Sequence, residues 1–226
     1  MKNFAFLLLI TLFTFASCKK DTPTKSEESP ANQTEMAVGD NTKFGMDASS
    51  NPQGLAVGSQ APNVKLTLAD GSVIALEDLY KKQPVVLFFY RGYWCPVCNK
   101  HLSALAKQAQ DIESKGVKLL AITPETYENV TKTKDQTGAK FTIISDSDDS
   151  ILNAFDVAYK VTDDYQNKIQ EHLKASIANT NANGQAVLPV PATYIIDSNG
   201  KIVYRQFNPD YQERASIDDI IANLPK

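Results

Sequence analysis

The stretch over residues 85–102, VVLFFYRGYWCPVCNKHL, constrains the fold of this chain more than any other. Its first five residues form an apolar run, rich in β-branched and aromatic side chains, with the length of a buried strand. Six residues after this run come Cys95 and Cys98, a C-x-x-C pair, and apolar positions at helical spacing follow. A strand, a turn, two cysteines and a helix in this order predict a redox-active pair on an α/β fold.

The predicted position of the pair, in the first turn of a helix, favours thiolate formation. The thiolate is the reactive form of cysteine, and a free thiol has a pKa near ~8.5. The unpaired N–H groups of a first turn and the positive end of the helix dipole lower that pKa. Arg91, four residues before Cys95, can add positive charge. His101, one turn beyond Cys98, either lowers its pKa as well or lies on a solvated helix face. We expect Cys95 and Cys98 to form and break a disulfide reversibly, with Arg91 as electrostatic support.

Two structural roles for the cysteines compete with the redox role. Cysteines are often buried as small apolar residues, but the tryptophan and proline around this pair argue against that role. A structural zinc site needs four ligands, and outside the N-terminal segment the chain has no third cysteine and only two histidines, His101 and His172. Asn99 follows Cys98, which excludes the C-x-x-C-H motif of covalent haem attachment. We therefore predict no metal and no cofactor.

Composition bounds the number of domains and the class of partner. The chain has 226 residues, of which 42% are hydrophobic and 22% charged, and its net charge is −3. These values suit one globular domain plus a polar segment. The charge gives no reason to expect nucleic-acid binding.

The N-terminus has the organisation of an export signal. A short positive start precedes an apolar run over residues 4–15, which is too short to span a bilayer. Residues 15–18, Phe-Ala-Ser-Cys, resemble the bacterial lipobox, which implies cleavage of residues 1–17 and acylation of Cys18. Secretion with an unmodified Cys18 is the alternative. We expect a lipid-anchored protein of the bacterial cell envelope, with its domain facing the periplasm or the exterior and no other membrane contact.

Residues 18–54 predict a flexible tether, and residues 55–226 predict a single domain. Residues 19–35 contain no large apolar side chain, so they cannot bury an apolar face. From residue 55 onward, strand-like and helix-like patterns alternate, which predicts an α/β fold. The predicted elements are a hairpin at 64–76, strands at 85–90, 117–122 and 141–145, helices after Cys98, at 125–134 and at 163–177, a hairpin at 192–207 and a last helix after Ser216.

Three acidic residues follow the predicted strand at 141–145, namely Asp146, Asp148 and Asp149. A metal site is one interpretation of this cluster. We prefer a solvated loop whose carboxylates cap a helix beginning near Ile151.

Several motifs, in this order, resemble the AhpC/TSA peroxiredoxin-like group of the thioredoxin fold. They are VGSQAP at 57–62, FFYRGYWCPVC at 88–98, LPVPATYIID at 188–197, and NPDY at 208–211 with Arg214. The resemblance covers residues 55–226. It implies a thioredoxin-like fold with a central mixed sheet flanked by helices, an N-terminal β-hairpin extension and the cysteines at the start of the first long helix.

The resemblance also implies a cis proline that faces the cysteines, at the position of Pro191. A cis bond there would present the backbone of Val190 to a substrate or partner thiol, while Trp94 and Pro96 would shape the surface around the pair. An ordinary proline at the start of a strand is the alternative.

The cysteine pattern departs from that of typical peroxiredoxins. Their Thr-x-x-Cys motif has its threonine at the position of Cys95 and its peroxide-attacking cysteine at the position of Cys98, and they carry an arginine where Pro191 stands. Arg91 could replace that arginine, as a donor to a peroxide oxygen or as a charge that holds a thiolate. A thioredoxin-like interpretation instead makes Cys95 the exposed nucleophile and Cys98 the resolving thiol. The sequence leaves open which cysteine attacks first.

Two chemistries are compatible with the resemblance. In a thiol peroxidase, one thiolate attacks the O–O bond and becomes a sulfenic acid, the other cysteine condenses with it, and a thioredoxin-like donor reduces the disulfide. In a membrane-tethered disulfide reductase, the pair reduces disulfides of exported proteins. A non-enzymatic binding module is a third possibility, which the paired cysteines disfavour. We predict an antioxidant thiol peroxidase that cycles Cys95 and Cys98 between dithiol and disulfide, with the disulfide reductase as the alternative.

Overall fold

The computed structural model describes residues 41–225. The predicted signal segment, Cys18 and the predicted tether up to residue 40 lie outside the described residues. Between residues 41 and 225, no helix has the length and apolar character needed to cross a bilayer.

A five-stranded mixed sheet forms the centre of the domain. The strands described are β1 (Lys65–Thr67), β2 (Val73–Ala75), β3 (Val85–Phe89), β4 (Lys118–Thr123), β5 (Thr142–Ser145), β6 (Ala158–Lys160), β7 (Val187–Pro189), β8 (Ala192–Ile196) and β9 (Ile202–Phe207). The central sheet has the order β5-β4-β3-β8-β9, in which β3-β4 and β4-β5 are parallel and the other two pairs are antiparallel. Strands β1 and β2 form the predicted hairpin, and β6 pairs with β7 in a third sheet.

Strand β3 lies in the middle of the sheet and leads directly to the cysteines. All five of its residues are buried, and it pairs with β4 on one side and β8 on the other. A strand that is covered on both faces needs a continuous apolar run rather than an alternating one. The run that the sequence places before the cysteines is therefore a buried strand, as predicted, and the structure shows that it is the central one.

The helices complete the α/β arrangement. They are α1 (Leu76–Tyr80), α2 (Pro96–Glu113), α3 (Tyr127–Thr137), α4 (Ser150–Ala154), α5 (Asp163–Leu173), α6 (Ile177–Thr180) and α7 (Ile217–Ala222), and a 3-10 turn precedes them at Asn41–Phe44. The helix predicted over 163–177 is wrong at its end. Lys174 adopts a left-handed conformation with φ 52°, which stops α5, and Ser176 then caps the short α6 through the amide of Asn179. Ile177 is buried, but as the first residue of α6 and not as part of α5.

The folded domain begins before residue 55, the predicted boundary. Met46 is only 2% exposed and forms an antiparallel bridge with Val161. The amide of Asp47 donates to the carbonyl of Lys160 at 2.8 Å, and the amide of Gly54 donates to the carbonyl of Asp156 at 2.9 Å. Residues 41–54 were predicted as tether because their apolar residues stand singly among polar ones. They instead pack along β6 as part of the domain.

Candidate active site

The cysteine pair lies where the chain leaves β3 and enters α2. Cys95 is the N-cap residue of α2, and its Sγ accepts the amide N–H of Cys98 at 3.3 Å. Pro96 occupies the first helical position, where its missing N–H has no cost. Both cysteines are free thiols. The local order of strand, turn and capped helix thus brings the two predicted residues together at the helix start.

Both cysteines are shielded from solvent, with 0% of their surface exposed. This corrects the expectation, drawn from the thioredoxin-like interpretation, that Cys95 is exposed. The reason lies in Arg91, whose Nη2 lies 3.6 Å from the Sγ of Cys95. The guanidinium carbon of Arg91 lies 3.8 Å from the ring centroid of Tyr211, which belongs to the loop between β9 and α7. Arg91 and Tyr211 therefore stack beside Cys95 instead of leaving it open to solvent.

Arg91 is held by several aromatic side chains. Its Nη1 donates to the hydroxyl of Tyr165 at 2.8 Å, and its guanidinium lies 5.3 Å from the ring of Trp94. Burial lowers the pKa of Arg91, but the electrostatic effect of the neighbouring acidic groups, the two cysteines among them, outweighs burial and raises the pKa above its ordinary value, so the side chain stays charged. The predicted electrostatic partner of the pair is thus placed against Cys95.

A second guanidinium, which the predicted site residues do not include, lies against the other cysteine. Arg214 Nη2 is 3.4 Å from the Sγ of Cys98, although 116 residues separate them in sequence. The Nε of Arg214 donates to the carbonyl of Tyr211 at 2.7 Å, which fixes the side chain within its loop. The sequence signal for this residue was its place in the NPDY motif region, which indicated the family but not the contact.

The two cysteines have pKa values displaced in opposite directions. Burial raises the pKa of Cys95, and its hydrogen bond and proximity to Cys98 raise it further. Burial alone would also raise the pKa of Cys98. The hydrogen bond from Cys95 and the charges of Arg214 and Arg91 outweigh burial and hold the pKa of Cys98 well below that of an ordinary thiol. These directions place the negative charge on Cys98 and the shared proton on Cys95.

The prediction of a cis proline at Pro191 is wrong, since residues 41–225 contain no cis peptide bond. Val190 and Pro191 are both buried, and the amide of Val190 donates to the carbonyl of Val157 at 2.8 Å. Strand β7, which directly precedes Val190, pairs with β6, so this part of the chain is hydrogen-bonded within the domain. The backbone of Val190, which was expected to meet a substrate or partner thiol, therefore already uses its N–H within the domain.

The predicted surface around the cysteines is mostly covered. Trp94, Val190 and Pro191 are buried, and of the four residues predicted to shape a binding surface only Pro96 is exposed. The indole of Trp94 faces the guanidinium of Arg91 rather than solvent. An approaching molecule would therefore meet the first turn of α2 at Pro96.

His101 meets neither expectation for it. Its Nε2 lies 3.1 Å from the carbonyl of Ala215, and the side chain is half-buried instead of lying on a solvated face. Burial, followed by the charge of Arg214, lowers the pKa of His101 to about 4. The imidazole is therefore neutral near pH 7, donates from Nε2 to Ala215, and adds no positive charge at Cys98.

Glu125 is a buried carboxyl beside the site that the sequence analysis did not identify. The residue is 0% exposed, and its Oε2 accepts the amide N–H of Tyr93 at 2.9 Å. Burial raises its pKa to about 8, and the negative charge of Cys98 contributes to the rise. In sequence this residue stands among polar positions at a helix start, which gave no sign of its burial.

The profile of the AhpC/TSA family matches residues 57–205. The chain belongs to the AhpC/TSA family. The motifs quoted from the sequence lie mostly within the matched residues, and so do β3, the cysteines and Arg91. Arg214 lies nine residues beyond the matched end.

Relatives of this AhpC/TSA protein include two kinds of thiol enzyme. This chain is 28% identical over 152 residues to the thiol-disulfide oxidoreductase ResA of Bacillus subtilis (strain 168), and the alignment covers 67% of each protein. It is 35% identical over 106 residues to the 1-Cys peroxiredoxin PER1 of Hordeum vulgare, which covers 44% of this chain and 48% of that protein. The predicted enzyme class, a thiol peroxidase or thiol-disulfide oxidoreductase, is confirmed.

The fold of the AhpC/TSA protein is that of solved peroxiredoxins. Reduced Prx3 of Vibrio vulnificus, solved in complex with H2O2, superposes with a TM-score of 0.59 at 19% identity, over 74% of this chain and 97% of that one. The predicted thioredoxin-like α/β fold with a central mixed sheet is confirmed.

The acidic loop of the AhpC/TSA domain serves as a helix cap. Asp146 Oδ2 accepts the amide of Leu152 at 2.8 Å, and Asp148 Oδ1 accepts the amide of Ser150 at 3.1 Å. Over residues 41–225, no group of three or more His, Cys, Asp or Glu side chains is arranged to hold a metal ion. The geometry thus agrees with the capping interpretation for Asp146 and Asp148. The prediction of a solvated loop is wrong, because Asp146 and Asp149 are buried, and Asp149 accepts from the side chain of Asn183 instead of capping the helix.

Proposed function

We propose that this AhpC/TSA protein is a thiol peroxidase in which Cys98 attacks the peroxide and Cys95 resolves the product. The observation that carries the proposal is the contact of 3.4 Å between Arg214 Nη2 and the Sγ of Cys98. A hydrogen bond from a guanidinium stabilises a thiolate more than a thiol, because it is charge-assisted on both sides. Cys98 is also the residue whose pKa is lowered.

The reaction uses the two sulfurs in sequence. The Cys98 thiolate attacks one oxygen of the peroxide, the O–O bond breaks, and Cys98 becomes a sulfenic acid while the second oxygen leaves as an alkoxide or hydroxide that takes up a proton. The sulfur of Cys95 then attacks the sulfenic sulfur, so that a disulfide forms and water leaves. A thioredoxin-like dithiol returns two electrons and two protons to the pair.

The burial of both sulfurs supports a small substrate. Neither cysteine has exposed surface, so a peroxide of a few atoms reaches the pair with less rearrangement than the disulfide of a folded protein needs. The amide of Val190 is bonded to Val157 and is not available to pair with an extended substrate chain. Both features favour the peroxidase over the disulfide reductase.

The disulfide reductase remains a second candidate function because of one feature. The C-x-x-C pair is intact, and its first cysteine caps α2, which leaves both sulfurs in reach of one another for exchange. The similarity to ResA supports the same chemistry.

Single-cysteine variants separate the two functions. Peroxide consumption with dithiothreitol as the electron donor is measured for the wild type, Cys98→Ser and Cys95→Ser. We expect Cys98→Ser to abolish the reaction with peroxide, and Cys95→Ser to accumulate a sulfenic acid on Cys98, detected by mass spectrometry after trapping. A sulfenic acid on Cys95 in the Cys98→Ser variant contradicts the assignment. Reduction of insulin without peroxide turnover supports the reductase instead.

We propose that the domain is anchored to the bacterial cell envelope through Cys18 and faces the periplasm or the exterior. Residues 15–18 support this through their resemblance to a lipobox, and several acyl chains are needed for stable anchoring. Expression of the full chain in a bacterium tests it. The wild type is expected in the membrane fraction and Cys18→Ser in the soluble fraction, and an identical distribution contradicts the proposal.

A further inference from the structure

Glu125 carries a buried carboxyl group that forms no ion pair with any cation among residues 41–225. It follows β4 by two residues and is 0% exposed. One oxygen, Oε2, accepts the amide N–H of Tyr93, two residues before Cys95, and the other, Oε1, has no hydrogen-bond partner within the part of the chain that the structure describes. A Cβ at Gly92 would lie 2.5 Å from Oε1, so a side chain at this position would clash with the carboxyl group. A buried carboxylate in such a place is unfavourable unless a compensating charge is present.

Three ionisable groups act on this carboxyl, each from a different element. Cys98 interacts with it electrostatically from α2, Lys132 from α3, and Tyr90 from the residue that follows β3. Lys132 is 44% exposed at its side chain and pairs at 3.1 Å with Glu128, so its attraction for Glu125 is weak. Tyr90 is fully buried, and burial raises its pKa, which keeps it neutral. Cys98 is therefore the neighbour whose charge changes during the redox cycle.

We propose that Glu125 stores the second proton of the cycle: reduction of the Cys95–Cys98 disulfide places one proton on Cys95 and one on Glu125, while Cys98 becomes the thiolate. The physical reason is repulsion between two negative charges in one buried region. When Cys98 is a thiolate, Glu125 is protonated. When the sulfurs form a disulfide, the negative charge on Cys98 is gone and Glu125 can ionise.

The proposal rests on the dithiol–disulfide cycle of the proposed function, and its atoms balance. The Cys98 thiolate, a peroxide ROOH and the Glu125 acid give the sulfenic acid, ROH and the Glu125 carboxylate. Condensation of Cys95 with the sulfenic acid releases water. A reducing dithiol then transfers two electrons and its two protons, one to Cys95 and one to Glu125, and the cycle closes without net proton exchange with solvent. In this cycle Glu125 holds one proton in the reduced protein and releases it during oxidation.

The direction of its pKa agrees with this role. Burial raises the pKa of Glu125 to about 8, and the charge of Cys98 is one of the contributions. Loss of that charge on oxidation lowers the pKa, because the like-charge repulsion disappears. Near neutral pH the group is thus protonated in the reduced form, and the loss of the Cys98 charge on oxidation favours release of its proton.

Proton counting during oxidation by diamide tests the proposal. Diamide converts a dithiol to a disulfide by taking two electrons and two protons, so it needs no peroxidase activity. In weakly buffered solution near pH ~7, Glu125→Gln is expected to take up one proton from solution per disulfide, since only Cys95 supplies a proton. The wild type is expected to take up fewer, because Glu125 supplies the second. A pH-indicator dye reports the uptake, and mass spectrometry confirms the disulfide.

Glu171→Gln is the matched control, because Glu171 is an exposed residue of α5 and should behave as the wild type. Equal proton uptake by the wild type and Glu125→Gln overturns the proposal, whatever the outcome of the peroxide assay. If Glu125→Gln does not fold, the infrared difference spectrum of the wild type decides. The carbonyl band of a protonated carboxylic acid is expected in the reduced form and is expected to disappear on oxidation, and a spectrum without that loss overturns the proposal.

Discussion

Each cysteine of the pair contacts a different guanidinium group, Cys95 that of Arg91 and Cys98 that of Arg214. Of these two arginines, the sequence predicted the role of Arg91 at the site but not the contact of Arg214. Arg91 was identified because it lies four residues before the helix cap, where local spacing suffices. The contact of Arg214 depends on the path of β9 and its following loop, which local patterns do not contain. The cysteines themselves were predicted from their strand–turn–helix context, but their burial was not, since it arises from Arg91 and Tyr211 together.

The variant Arg214→Met tests the contact at Cys98. A hydrogen bond to a charged group contributes about 1.5–3 kcal/mol, which corresponds to a rise of about 1–2 in the pKa of Cys98. We expect the rate of reaction with peroxide near neutral pH to fall by about tenfold or more. The ultraviolet absorbance of the thiolate, followed against pH, measures the shift. Arg205→Met is the control, because Arg205 lies on Phe207 in β9; an unchanged titration in Arg214→Met would contradict the assignment.

At the scale of elements, the strands were predictable because buried apolar runs mark them directly. The end of α5 was not, because the apolar spacing of four residues continues through Lys174 to Ile177 while the backbone turns left-handed. The segment over residues 41–54 was also missed. Its burial comes from pairing with β6, which is far away in sequence, and its apolar residues show no periodic pattern.

The variant Met46→Ala tests whether this N-terminal segment is part of the folded domain. Met46 is almost fully buried and bridges to Val161. Truncation of a buried methionine lowers the free energy of unfolding by about 2–5 kcal/mol. Chemical denaturation measures the difference. Val57→Ala, at a residue that is 58% exposed, is the control and should change stability by less than about 0.5 kcal/mol. Equal stability of Met46→Ala and the wild type would place the segment outside the cooperative unit.

For the whole molecule, the buried ionisable groups give opposite dependences of stability on pH. His101 has a pKa of about 4 in the folded protein, below its ordinary value of 6.5. The unfolded chain therefore binds a proton that the folded protein does not, and the free energy of unfolding falls as the pH drops from 6.5 to 4. Glu125 keeps its proton up to about pH 8 in the reduced protein, so its contribution falls as the pH rises from 4.5 to 8.

The variant His101→Gln isolates one of these contributions. We expect the loss of stability between pH 6.5 and 4 to be smaller in the variant, by up to about 1.4 kcal/mol per pH unit. Urea denaturation at several pH values within that range, on the wild type and the variant, measures it. His172→Gln is the control, because His172 is exposed on α5. If the two variants have the same pH dependence, the pKa of His101 is not lowered in the folded protein.

Trp94 is the single tryptophan of the chain, and it directly precedes Cys95. Its indole lies 5.3 Å from the guanidinium of Arg91. Disulfides quench indole emission by accepting an electron from the excited ring. The intrinsic fluorescence of the unlabelled protein therefore reports the state of the sulfurs, and rapid-mixing experiments can time oxidation and re-reduction separately in one sample.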